Sequence, residues 1–273
     1  MAHTSPAVGP AAPLELQVLG ELARGGMARV DLARVLPDGE VVALKRLHRH
    51  LAADPRFVEM FTDEVWMTAA LEHENVVRLV AYGQDDDGMY LAMELVHGAP
   101  LSLIASDGRS QGHVMPPELL AYVALQIARG LAAAHGLCDR DGRPLGLVHR
   151  DVTPSNVLVA FDGVVKLTDF GVARAAGRTS HTATGVLKGK VAFMSPEYAR
   201  HRQVDGRSDL HSLGVTMFAV ASGRLPFDAE NDLELLRRIT EDEAPSLREL
   251  VPDFDAGLGE LIARLLRKRP DER

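Results

Sequence analysis

Near residue 95 the hydrophobic pattern of this chain changes period. Before that point the apolar residues fall in short strand-like runs, "LQVLGEL", "ARVDLARVL", "EVVALKRL", "NVVRLVAYG" and "MYLAMELV". Turn-forming stretches such as "ARGGM", "PDG" and "QDDDG" separate several of them. One interruption stands out. Residues 55–72 place Phe57, Phe61, Val65 and Leu71 at helical spacing, which predicts a helix among the strands. After "HGAP" the periodicity becomes helical. Residues 117–136 read as one long apolar-faced helix, and the chain reads as helical again from about 205. Between them, a polar insert "LCDRDGRPLG" leads to strand-like pieces around "VHRD" and "NVLVAFDGVVKLTDFG". A strand-rich part followed by a helical part predicts an α+β fold in two lobes. The expected boundaries are a disordered Pro/Ala/Gly-rich tail over 1–13, a small lobe over 14–95 and a larger lobe over 96–273. A cleft between lobes is the expected ligand site.

Bulk properties narrow the function. The 273 residues suffice for a sizeable core. A net charge of −8 argues against nucleic-acid binding through phosphate contacts. Positive charge is carried by 25 arginines and only five lysines, so each lysine is informative. The single cysteine, Cys138, can form no internal disulfide and suits a reducing compartment; it is expected to be a small buried or half-buried residue. "MAHTSPAVGPAAP" lacks the basic start and apolar run of a signal peptide. The uncharged stretch Leu210–Gly223 is too short to span about 30 Å of hydrocarbon, and reads as a buried helix. The expectation is a cytoplasmic protein with no membrane segment in this chain.

Several motifs, weak singly, occur in a telling order. They are the glycine turn "RGGMARV", "VALK" ending at Lys45, a helix glutamate 19 residues later, "HRDVTPSN", "KLTDFG" and "MSPE". Together they resemble the eukaryotic-like, bacterial-type serine/threonine protein kinase family over about residues 16–273. The resemblance implies a small antiparallel β lobe with one key helix, a larger mainly helical lobe, and transfer of the ATP γ-phosphate to protein hydroxyls. It implies ATP with Mg²⁺ (or Mn²⁺) and protein substrates as partners.

Each implied role has a physical basis. Phosphoryl transfer needs a held triphosphate, neutralised charge and an aimed hydroxyl. Gly25 and Gly26 would let backbone N–H groups cover the phosphates. Lys45 would hold the α- and β-phosphates, fixed by Glu64, with Glu59 and Asp63 as competing acids. Asp151 would orient or accept the hydroxyl proton. Asn156 and Asp169 offer the hard oxygen ligands that suit Mg²⁺. By resemblance, Val30 and Ala43 roof the nucleotide base and Leu158 floors it. Met93 would be the gatekeeper, and Glu94 and Val96 would supply backbone groups to the adenine edge. His149 and Phe170 would be packing residues, Asp209 would hold the catalytic-loop backbone, and Glu197 would pair with Arg273.

Two departures bear on activity. The first and third glycines of the phosphate loop are Ala23 and Ala28, which a positive φ would penalise. The family's lysine two residues after the catalytic aspartate is here Thr153. The family's threonine seven residues before the "PE" glutamate is here Lys190. The two residue types have changed places. This suggests that Lys190 reaches Asp151 and the γ-phosphate from the activation segment, with Thr153 bonding beside it; the alternative is a solvated loop lysine and a weakened site. Thr179, Ser180, Thr182 and Thr184 form a phosphorylatable loop that Arg150 could order. The positions where arginine-directed kinases carry carboxylates are Pro100 and Ser155, so no strong preference for basic residues is expected. A pseudokinase scaffold and a small-molecule phosphotransferase are the rival readings.

Overall fold

The computed structural model describes residues 14–139, 141–170 and 186–273. The expected tail and the hydroxyls Thr179, Ser180, Thr182 and Thr184 lie outside them. The chain divides into two compact units.

The first unit comprises the described residues up to Ala70 together with Arg78–Leu95. Its strands are β1 (Glu15–Arg24), β2 (Ala28–Leu36), β3 (Val41–Leu47), β4 (Leu79–Asp85) and β5 (Gly88–Glu94). They form one sheet in the order β1-β2-β3-β5-β4, antiparallel at every pairing. The strands form from short apolar runs rich in residues such as Val, Leu and Tyr that pack well on a pleated surface. One face buries Ala33, Val35, Val42, Leu44, Tyr90 and Ala92. Helix α1 (Pro55–Ala70) buries Met60, Phe61, Glu64 and Val65. Three apolar residues on that stripe are routine, and the glutamate among them needs a partner.

The second unit comprises Leu71–Val77 and Val96–Arg273. It contains β6 (Gly98–Pro100), β7 (Val157–Ala160) and β8 (Val165–Leu167) in one small sheet. Its helices, among the described residues, are α2 (Leu101–Ser110), α3 (Pro117–His135), α4 (Val186–Val191), α5 (Pro196–Ala199), α6 (Gly206–Ser222), α7 (Asp232–Glu241), α8 (Leu247–Leu250) and α9 (Ala256–Leu265). Helix α6 is buried nearly all round, from Ser208 to Ala221. Asp205 caps its start, with the side chain accepting from Arg207 N, and Gly223 ends it at φ 73°, a left-handed turn that favours glycine. Gly98 is needed for another reason: a Cβ there would stand 2.0 Å from the Val159 carbonyl oxygen. The stretch Leu71–Val77 links α1 to β4 but belongs to this unit. Val77 N donates to Leu167 O, Leu167 N donates to Asn75 O, and the Asn75 amide donates to Gln126 Oε1 and Val165 O.

Two expectations need correction. "VHRD" forms no strand; its backbone donors go instead to the buried carboxylate of Asp209. Cys138 is exposed, with its thiol on Gly136 O, because it lies in the polar insert that follows α3.

The second unit is also tied by a buried ion pair. Arg273 donates Nη1 to Glu197 Oε1 at 2.6 Å and Nη2 to Oε2 at 2.8 Å. The Arg273 side chain is 0% exposed and that of Glu197 8%. Burial pushes the Glu197 carboxyl up, but the Arg273 fork and the Ser208 hydroxyl outweigh it and hold the pKa at about 2. A depressed carboxylate stabilises the fold above its ordinary pKa of 4.5, and that contribution is lost as pH falls towards about 2. Arg273→Met should therefore cost about 3 kcal/mol in urea unfolding at neutral pH, because it strands a buried charge. Over that acid range its stability should fall less steeply than that of the parent protein.

Candidate active site

The site residues divide between the two units. In the first unit, Lys45 lies on β3 opposite Val30 of β2, and Ala43 lies opposite Met93 of β5. Lys45 Nζ donates to Glu64 Oε1 at 2.6 Å, and the two side chains are 9% and 4% exposed. Glu64 of α1 is thus the acid that meets the lysine, while Glu59 is exposed. A buried ion pair of this kind stabilises little, since desolvation offsets the attraction. What it does is hold a flexible cation in one place.

Gly25 and Gly26 join β1 to β2, with Gly25 N donating to Ala28 O at 2.9 Å. Neither glycine has a positive φ, and neither does Ala23 or Ala28. The alanine replacements therefore carry none of the conformational penalty that left-handed backbone would impose. His48 Nε2 donates to Gly25 O at 2.8 Å, tying this loop to the end of β3. Val30 and Ala43 are half-buried and Met93 is buried. Glu94 N donates to Arg78 O, and its side chain accepts from Arg78 N.

In the second unit, Asp151 is the centre of a bonded cluster. Its Oδ2 accepts from Lys190 Nζ at 2.6 Å and from Asn156 Nδ2 at 2.9 Å. Asp151 is 5% exposed in its side chain and Lys190 49%, so the lysine reaches inward from a partly solvated position. Asn156 Nδ2 also donates to Asp151 O. With its amide nitrogen so engaged, Asn156 keeps Oδ1 as an acceptor. An amide oxygen there and a carboxylate at Asp169, on a segment that Thr168 N ties to Asn156 O, are donors of the type that suits a divalent cation retaining most of its water and phosphate ligands. Two backbone links tie the segments together: Thr168 N donates to Asn156 O, and His149 Nε2 donates to Thr168 O. The His149 and Phe170 rings pack at 4.3 Å between centroids. Leu158 lies in β7, paired with Pro100 and Lys166, and Val96 precedes β6.

The backbone that carries Asp151 is held from below. Asp209 of α6 accepts His149 N and His135 Nε2 on Oδ2 and Arg150 N on Oδ1, each at 2.8 Å. Thr216 Oγ1 donates to Val152 O. Arg150 has φ 66° and Asp169 φ 62°, two of three non-glycine residues in left-handed backbone among the described residues. Such conformations persist only where surrounding bonds over-determine them, as the Asp209 contacts do at Arg150. His135 and Thr216 were invisible to sequence reading: each occupies an ordinary helix position, and nothing local marks its partner.

Thr153 is buried before the 3₁₀ turn Pro154–Asn156, and its carbonyl accepts from Asn156 N. Among the described residues its hydroxyl makes no hydrogen bond to Lys190 or Asp151, so the expected bond beside the lysine is not formed. Of the polar groups of Thr153, it is the carbonyl that is engaged in the turn.

A protein kinase domain model matches residues 16–273. The chain belongs to the protein kinase domain family. The kinase domain is 38% identical over 256 residues to a Myxococcus xanthus protein named tyrosine-protein kinase MasK, covering 93% of this chain and 40% of that one. It is 41% identical over 263 residues to the Streptomyces coelicolor serine/threonine-protein kinase PksC, covering 92% and 45%. The chain thus spans less than half the length of either relative. Among solved structures, a point mutant of the Mycobacterium tuberculosis PknI kinase domain matches with a TM-score of 0.70 and 27% identity, covering 98% of this chain and 94% of that one. The fold is the protein kinase fold, with a five-stranded antiparallel N-lobe sheet and a helical C-lobe. The family uses ATP and a divalent metal. Among the described residues, no helix is long and apolar enough to cross a membrane.

Proposed function

We propose that this kinase domain transfers the γ-phosphoryl group of ATP to serine and threonine hydroxyls of protein substrates. The observation that carries this reading is the Lys190–Asp151–Asn156 cluster, in which an ammonium and an amide share one buried carboxylate oxygen. In the proposed reaction the substrate hydroxyl oxygen bonds to the γ-phosphorus, the bond to the β–γ bridging oxygen breaks, and ADP leaves. Asp151 aims the hydroxyl and takes its proton. Lys190 supplies positive charge beside that carboxylate, where the γ-phosphoryl oxygens would sit. Lys45, fixed by Glu64, holds the α- and β-phosphates, and the Gly25–Gly26 backbone covers them. Val30, Ala43, Met93, Glu94, Val96 and Leu158 are assigned to the base. Asn156 and Asp169 would hold Mg²⁺, or Mn²⁺, which neutralises phosphate charge when bound. Thr153 shapes the loop through its carbonyl. Arg150, whose Nε is buried without a partner among the described residues, is assigned to a phosphate on the activation segment. A complete set of charged groups argues against a pseudokinase scaffold. The single free thiol suits the cytoplasm.

A second acceptor class has one specific support, the tyrosine kinase name carried by a relative at 38% identity. Incubation with labelled ATP, Mg²⁺ and a generic protein acceptor, followed by phosphoamino-acid analysis, decides between them. Phosphoserine and phosphothreonine are expected. Predominant phosphotyrosine overturns the acceptor choice, and no label in any protein overturns the reaction.

A further inference from the structure

We infer that a cavity beside the catalytic loop reads an anionic side chain of the substrate, carboxylate or phosphate, within about three residues of the accepting hydroxyl. The inference rests on the transfer reaction proposed above and names its sequence preference.

The cavity measures about 150 Å³ and is lined by Ser102, Arg109, Pro154 and Arg224, among others, with no carboxylate in its wall. Its size admits several groups of water's volume, about 30 Å³ each. Among the described residues many arginines, such as Arg46, Arg207, Arg237 and Arg273, are matched to carboxylates, while others, Arg34 and Arg129 for example, are not; what sets Arg109 and Arg224 apart is that they line one hollow. Among the described residues neither Arg109 nor Arg224 has a carboxylate within ion-pair distance. The stem of Arg109 is laid across Gly223, where an added Cβ would stand 2.9 Å from its Cδ. Its Nη1 donates to Val220 O at 3.4 Å, at the end of α6. Capping that helix is a sufficient reason for Arg109 to be cationic, but it uses one of five N–H groups and leaves Arg224 without a role. A planar fork with spare donors, beside a second one, matches a carboxylate or phosphate.

Position links this cavity to the reaction. Pro154 is three residues after Asp151, and three residues span at most about 11 Å. Ser155 Oγ donates to Ser102 Oγ at 3.3 Å, which joins the catalytic-loop rim to α2. An extended substrate advances about 3.3 Å per residue. A side chain entering this hollow therefore belongs within about three positions of a hydroxyl held at Asp151. The same wall would repel basic residues, in line with the expectation of no basic preference.

The test is a peptide series with one acceptor and Asp, Glu, phosphoserine, Ala or Lys at each of the four positions on either side. An anion within the window should raise kcat/KM about tenfold over alanine, and lysine there should lower it. In Arg224→Ala and Arg109→Gln that ratio should fall towards one, and Arg109→Glu/Arg224→Glu should favour lysine. A ratio within one variant does not move with partial unfolding. Preference for either anion supports the inference, and comparison of the phosphoserine and aspartate arms says which is read. A flat series with turnover intact overturns it while the transfer reaction stands, as does an anion preference that both arginine variants retain. No turnover on any peptide removes the reaction and this inference together.

Discussion

Asp151→Asn is expected to lower kcat for phosphoryl transfer by about a thousandfold, with little change in KM for ATP. The change is nearly isosteric but removes the group that accepts the hydroxyl proton, a loss of about 10²–10⁴ in rate where general-base help is withdrawn. It also places a neutral amide where Lys190 and Asn156 both donate to Oδ2. If the new NH₂ faces those donors, the local cost is about 1–3 kcal/mol, which a thermal melt would register separately from kcat. A drop in kcat with KM held is the signature of an interaction used in the transition state. Retention of more than a tenth of the wild-type kcat would remove Asp151 from its proposed role.

Lys190→Thr should reduce kcat about a hundredfold, and Thr153→Lys in the same molecule should restore much of it. Removing one charge-stabilising donor from a transferring group typically costs 10²–10³. The restoring change is the sharper measurement. A lysine at 153, two residues from Asp151, starts from buried backbone on the same 3₁₀ entry and need not cross from another segment. The two substitutions should be strongly non-additive, since one removes and the other returns a cation at the same carboxylate. Unchanged turnover in Lys190→Ala, or a double variant no faster than Lys190→Thr alone, sinks the exchange. Control of the site shifts accordingly. Lys190 sits in α4, so the Asp151 cation is delivered by the segment preceding "MSPE" and not by the catalytic loop.

Much of the fold was readable because its pattern is local. The short apolar runs of β2, β3 and β5 and the apolar stripe of α1 each follow from neighbours a few residues apart. Glu64 was distinguishable from Glu59 because the helix turns only one of them to the buried face. The reciprocal change at Thr153 and Lys190 was legible as a pair of departures, 37 residues apart, that make sense only together. Where reading failed, the deciding partner was far away and locally silent. "VHRD" has the composition of a strand, but Asp209, about 60 residues on, takes its backbone donors and bends it. Thr153 was expected to share the lysine's bonding, and it is its carbonyl that is bonded, to Asn156 N. Cys138 looked like core filler and stands in a solvated insert.

The residues alone thus determined which groups the protein possesses: five scarce lysines, carboxylates and an amide at family spacing, and a β-rich half before a helical one. They did so because periodicity and residue chemistry are properties of short stretches. Only the tertiary structure decided that Lys190 and Asn156 share one oxygen of Asp151 while the Thr153 hydroxyl, among the described residues, stays out, that His135 joins the catalytic-loop backbone on Asp209, and that Arg109 and Arg224 share a wall without an acid. Those outcomes depend on where the ends of long side chains arrive after packing, and that distance is set by the whole core and not by any segment of it.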